Sequence, residues 1–161
     1  MVHEPRLTQA LRSLLASQRV ASLGTLGDDG TPFVSMVPFA VDASRHSLVI
    51  HISGLAAHTR NLERFPRASL MVCQAEVAGE PVHALPRVTL DVMASEPASE
   101  DDVRACRAAY LARFPEAEPM TGLGDFRFVR LSALGARQVA GFGAARSVDA
   151  AELQQALGLA P

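Results

Sequence analysis

Apolar residues in this chain keep two rhythms, one helical and one alternating, and the switches between them outline the fold. Leu7, Leu11, Leu14 and Leu15 recur at i, i+4, i+7 and i+8, which predicts an amphipathic helix over residues 5–17 with Pro5 in its first turn. Residues 19–26 then alternate large and small side chains as a strand, and Gly27-Asp28-Asp29-Gly30 makes a turn. Residues 31–41 are apolar almost throughout and predict a second strand, with Pro38 marking an edge or a point where one N–H has no neighbour to bond. After a turn at 42–46, residues 47–53 form a third strand. The short connections predict an antiparallel meander. A short helix over 59–65 must stop before Pro66, because the residue ahead of a proline resists the helical region.

The second half repeats the alternation. Strands are predicted over 68–74 and 87–94, the latter with Val88, Leu90 and Val92 on one face and Thr89, Asp91 and Met93 on the other. Ser99 is the natural N-cap of a long helix. Glu100, Asp101 and Asp102 sit at the positive end of its dipole, and Val103, Cys106 and Tyr110 are the expected buried stripe. Residues 116–124 read as a loop. Residues 125–131 alternate with Phe126, Phe128 and Arg130 on one side and Arg127, Val129 and Leu131 on the other, and residues 136–142 make a last strand. Asp149 and Glu152 form a capping box before a terminal helix. The whole predicts an α+β chain: an antiparallel barrel of six to seven strands with flanking helices, one domain over residues 1–161.

Composition narrows the function. A net charge of −2 offers no basic patch for nucleic acid, and with seven Phe, one Tyr and no Trp there is no base-stacking platform. Cys73 and Cys106 are far apart and form no CxxC pair, so free thiols are expected. No apolar run is long enough to span a bilayer and the start has no signal-like core, which reads as a cytoplasmic protein with no membrane partner. The five histidines, His3, His46, His51, His58 and His83, have no metal-binding spacing, and no metal site is expected.

The stretch Ser53-Gly-Leu-Ala-Ala-His58-Thr59-Arg60-Asn61 carries the most chemistry. It joins a strand to a helix start, where free N–H groups and the macrodipole favour an anion. The hydroxyls of Ser53 and Thr59, the imidazole of His58, and Arg60 would add charge-assisted bonds to a phosphate. The competing reading is a turn whose Ser and Thr cap their own backbone. Arg87 and Arg130 read as ion-paired barrel residues, and His51 as a satisfied barrel histidine.

Four blocks in order, Phe33-Val-Ser-Met-Val-Pro-Phe-Ala40, His58-Thr-Arg-Asn-Leu62 with Pro66-Arg-Ala-Ser-Leu70, Pro86-Arg-Val-Thr-Leu90, and Asp125-Phe-Arg-Phe with Val139-Ala-Gly-Phe-Gly143, resemble the FMN-binding split barrel of the pyridoxamine 5′-phosphate oxidase-like superfamily. The nearest branch is the haem-utilisation (HugZ-like) group. The resemblance implies a homodimer with FMN at its interface. Ser35, Met36, Val37 and Pro38 would line the flavin, with Ile52 and Ser53 by the ribityl-phosphate. His58 and Thr59 would stand where the family has an Arg-Lys clamp, supplemented by Arg60 and Asn61. Phe142, between two glycines, and Arg146 would come from the second subunit. Two departures matter: no Trp is present to close a pyridoxamine phosphate site, and no His follows His83 to ligate haem from the C-terminal side. The leading expectation is an FMN-dependent oxidoreductase acting on a small molecule. The alternatives are haem binding or breakdown on the same fold, and a non-catalytic flavin module.

Overall fold

A computed structural model describes residues 4–158; His3 and Pro161 lie outside the described residues. The elements run α1 (Arg6–Ser17), β1 (Val20–Leu26), β2 (Pro32–Pro38), β3 (Ala40–Asp42), β4 (Ser47–Ser53), α2 (Ala57–Arg64), β5 (Arg67–Cys73), β6 (Arg87–Ser95), α3 (Glu100–Arg113), a 3₁₀ stretch (Pro115–Gly122), β7 (Phe126–Val139), β8 (Ala145–Asp149) and α4 (Ala150–Gly158). One antiparallel sheet holds every strand in the order β2-β1-β5-β6-β7-β4-β3, with β8 added to β7. The two edges of that path, β2 and β3, are separated in sequence by Phe39 alone. One residue cannot cross a flat sheet, so the sheet curls until its edges meet. Phe39 is fully buried at this junction and its N–H donates to Arg19 O at 3.2 Å. The α+β half-barrel with flanking helices is therefore the architecture, with eight strands instead of six to seven.

The extra strand has two causes. The apolar run 31–41 breaks at Phe39 because its halves serve opposite sheet edges. Residues 125–131 and 136–142, expected as separate strands, fuse into the 14-residue β7 and leave β8 as a short return. β7 pairs with β6 from Arg130 to Val139 and with β4 and β8 on its other side. Opposite Asp91 and Val92 its register shifts: Gly135 and Ala133 are paired and Leu134 bulges out, 42% exposed. The bulge bends the strand so that it serves both halves of the barrel.

The barrel interior is aliphatic. Leu23, Val37, Leu48, Ile50, Leu70, Leu90 and Leu131 meet there, and Leu11, Leu15, Leu153 and Leu157 of α1 and α4 close one end. A second apolar cluster lies outside the barrel, where α3 covers β3, β4 and β7: Ala40, Val49, Cys106, Tyr110, Phe114 and Phe128. Ser99 caps α3 by accepting the Asp102 N–H at 3.2 Å. The buried stripe of α3 is Asp102, Cys106 and Tyr110, whereas Val103 is 42% exposed. Asp102 is more than part of a capping cluster: its carboxylate turns inward to the Arg130 guanidinium. Arg130 also donates to Asp42 at 2.9 Å, to Ser47 and to Cys106 Sγ. Burial pushes the Asp102 carboxyl up, but the bonds from Arg130 and the Ala98 N–H outweigh it and leave it below the usual carboxylate range. Arg87 finds carbonyls rather than a carboxylate, donating to Leu85 O at 3.0 Å and His83 O.

Candidate functional site

β4 leaves the barrel at Ser53, and the chain turns sharply into α2. Gly54 N–H donates to Asp125 O at 2.6 Å, and a Cβ at Gly54 would stand 3.2 Å from that oxygen, so a larger residue would crowd the turn. Ser53 Oγ donates to Asp125 Oδ2 at 3.0 Å and accepts the Leu55 N–H at 3.1 Å. Thr59 is buried, and its hydroxyl donates to Ser53 O at 2.6 Å. Two of the hydroxyls expected at a phosphate thus stitch their own turn, as the competing capping reading has it. The N-cap of α2 is Ala56, which has no side-chain acceptor, so no side chain satisfies the first-turn amides. Arg60 is exposed and donates to Leu55 O at 3.2 Å.

The opposite face of α2 grips the β1–β2 hairpin. Asn61 Nδ2 donates to Thr25 Oγ1 at 2.9 Å, and Ser35 Oγ lies 3.0 Å from His58 Nδ1. Ser35 and His58, 23 residues apart in sequence, are thereby brought together. Burial lowers the His58 pKa, so its imidazole is neutral at pH 7. With Nδ1 held by a hydroxyl, the ring is oriented and Nε2 is left for another partner.

The remaining predicted residues divide. Val37 and Ile52 point into the barrel core, so they offer a ligand their backbone only. Pro38 is half-buried at the sheet edge, and Met36 is 66% exposed on the outer face. Phe142 is 93% exposed at the β7–β8 hairpin tip, between Gly141 (φ 130°) and Gly143 (φ 74°), whose left-handed backbone favours glycine. That tip follows the far end of β7, whereas Ser53 pairs with Phe126 at its start. Within one chain, Phe142 and the Ser35–His58 corner are therefore not brought together. Arg146 makes a two-pronged pair with Glu152 (2.9 and 2.6 Å) and donates to Gln138 at 2.9 Å, while Thr8 also bonds Glu152. Its guanidinium staples β8 to α4 and α1.

Among the described residues no helix covers the outer face of β2, β1 and β5. Val34, Met36, Val20 and Met71 are exposed there, paired across the register around Ser22 and Gly24. A shallow trough of about 340 Å³, lined by Gly24, Phe33, Val34 and Ser69 among others, runs along this face. A single chain leaves it open on one side. Among the described residues no group of three or more His, Cys, Asp or Glu is placed to hold a metal ion.

His51 was missed as a functional candidate and departs from its expected role. Its ring packs against Phe128, Phe126 and Tyr110, with centroids 4.5, 5.2 and 5.6 Å away, yet Nδ1 is buried with no hydrogen-bond partner. It is not a satisfied barrel histidine. An unmade bond of this kind costs about 1–3 kcal/mol. Only its apolar neighbours, Ile50 and Ile52, were legible beforehand.

A family model described as pyridoxamine 5′-phosphate oxidase matches residues 7–140. The chain is 29% identical over 150 residues to the Heme oxygenase HutZ of Vibrio cholerae, covering 92% of this chain and 84% of that protein. It is 36% identical over 135 residues to the chloroplastic non-canonical heme oxygenase HOZ of Arabidopsis thaliana, covering 83% of this chain and 40% of that protein. Among solved structures, a heme binding protein from Mycobacterium smegmatis matches with a TM-score of 0.85 at 30% identity, over 96% of this chain and 62% of that one. The chain spans less than two thirds of the plant relative and of the mycobacterial structure.

Proposed function

The chain belongs to the pyridoxamine 5′-phosphate oxidase family, and from that premise we propose that it is a haem-binding protein whose groove is completed by a second copy of itself. One observation carries the reading. His58 offers a neutral imidazole whose Nδ1 lies 3.0 Å from Ser35 Oγ, at a corner where Phe33, on the same face of β2 as Ser35, is 41% exposed. Haem needs one such donor from the protein, because four of its iron ligands come with the macrocycle; this suits a chain with no metal-binding cluster among its described residues. The relatives named for heme binding and heme oxygenase activity point the same way.

In this reading Phe33, on the same face of β2 as Ser35, gives the macrocycle an apolar wall, Arg60 meets a propionate, and Ser35 holds the His58 ring. Phe142 is contributed by the second copy, because within its own chain it faces solvent far from the groove. Haem, when bound, supplies the iron chemistry; the chain's part is to bind it, orient it and exclude water. Titration with haemin should give a Soret band saturating at one haem per protomer. His58→Ala should shift that band and weaken binding. Ascorbate and oxygen then distinguish holding haem from breaking it down, by whether the Soret band persists. A flat haemin titration would overturn the proposal.

FMN is the second reading, favoured by the uncapped start of α2 and by Arg60 beside it. Against it stands Asp125, whose carboxylate is bonded to Ser53 where a phosphate would need to sit. Quenching of FMN fluorescence on mixing, with reduction by a small-molecule donor, would favour the flavin oxidoreductase over the haem protein. The same spectra without turnover would favour the non-catalytic flavin module.

A further inference from the structure

A cleft of about 370 Å³ opens on the outer face of β4 and β7, under the rim of α3. It lies on the covered side of the barrel, away from the trough on β2, β1 and β5. Its floor is aromatic: His51, Phe126 and Phe128, with ring centroids within 4.5–5.2 Å of the imidazole. Val103 forms one wall, and Thr121 and Arg107 stand at the mouth.

Three features make this a built site. His51 lines the cleft and is 6% exposed, and its buried Nδ1 has no hydrogen-bond partner. Val103 is 42% exposed, so the wall it forms is apolar and open. The charge at the mouth is loosely held. Arg107 reaches only Glu118, at 3.4 Å, with both side chains largely in solvent. The other arginine at the cleft, Arg127, is already bonded to Glu63 at 2.8 Å and Glu96 at 2.9 Å. Among the described residues Arg107 is thus the cation at the cleft held by only one weak pair, the Glu96 carboxylate that also lines it is taken up by Arg127, and the surface between Arg107 and His51 suits a flat ring. Burial keeps the imidazole neutral, so it adds no second positive charge.

We propose that this cleft binds a small aromatic carboxylate of one or two fused rings, its ring against Phe126, Phe128 and Val103, its carboxylate on Arg107, and a polar edge toward His51. The volume is at the small end for ligand pockets, which limits the ligand to that size. This site is independent of the haem groove, and neither stands on the other.

The probe is 2-naphthoate, titrated into the full chain while the His51 ring and Val103 methyl resonances are followed by NMR. The expected result is saturable movement of both, with a Kd of about 1 mM or tighter for a ligand of this size. Arg107→Gln should weaken binding by about fivefold, the worth of one exposed charge contact. Val103→Trp, at an exposed helix position, should fill the cleft and abolish binding while haemin titration is unchanged. Naphthalene-2-methanol, which lacks the charge, should bind more weakly than 2-naphthoate to the unaltered chain and equally to Arg107→Gln. Resonances of His51 that do not move, or an affinity that survives Val103→Trp, would overturn the proposal.

Discussion

Replacing Arg130 with Met tests how much of the fold rests on one buried cation. Arg130 is 8% exposed and is shared by Asp42 of β3, Ser47 of β4, and Asp102 and Cys106 of α3. Methionine fills a similar volume but leaves two carboxylates buried without a counter-charge. Breaking a buried pair from one side costs about 3–5 kcal/mol, against a total of about 5–15 kcal/mol for a typical domain. In a chain of this length that lowers the melting temperature by roughly 10 °C. Acidity supplies the sign. Asp102 in the native protein lies below its ordinary range, so its pairing stabilises the fold above the unfolded pKa of about 3.9 and that contribution fades as pH falls through the lower folded value. In Arg130→Met the stranded acids prefer to be protonated, so the gap between variant and parent should be widest at pH 7 and narrow toward pH 4. Urea unfolding followed by far-UV circular dichroism at both pH values measures it. Arg130→Lys, which keeps the charge but lacks the planar fork, should fall between the two. A loss at pH 7 of less than about 1 kcal/mol would refute the assignment of this network as a structural tie, given the magnitude expected for a broken buried pair. So would a gap that widens on acidification.

Other positions separate core, interface and site. Leu90→Ala, at a fully buried barrel position, should cost about 2–5 kcal/mol in the same unfolding assay. Met36→Glu puts a charge on the uncovered outer sheet; if the second copy proposed above seats there, sedimentation should shift from dimer to monomer while the melting temperature barely moves. Phe142→Ala should change stability by no more than about 0.5 kcal/mol, because the side chain is 93% exposed, yet should weaken haemin binding if a second copy uses it. His51 is held neutral by burial, so it costs stability as pH falls from its unfolded value of about 6.5 toward its lower native one; His51→Leu should flatten the melting temperature between pH 7.5 and 5.5. His58 shifts in the same direction, so part of the slope should remain.

Local order was legible from the residues alone. The leucine spacing of α1, the stop of α2 ahead of Pro66, the alternation in β5 and β6 and the Ser99 cap each depend on near neighbours, and each stands in the structure with its ends moved by a residue or two. The order of the four family blocks carried the barrel, because those residues sit where the barrel constrains them. Periodicity records which side of an element is buried, and cannot say what buries it. That is why the run 31–41 read as one strand although Phe39 divides it between two sheet edges, and why 125–131 and 136–142 read as two although β6 pairs continuously with Arg130–Val139 across the gap between them. It is also why the Ser35–His58 contact, the inward turn of Asp102 and the unpartnered nitrogen of His51 were invisible beforehand. Each is a meeting of residues far apart in the chain, decided only when the curled sheet and the helices around it come together.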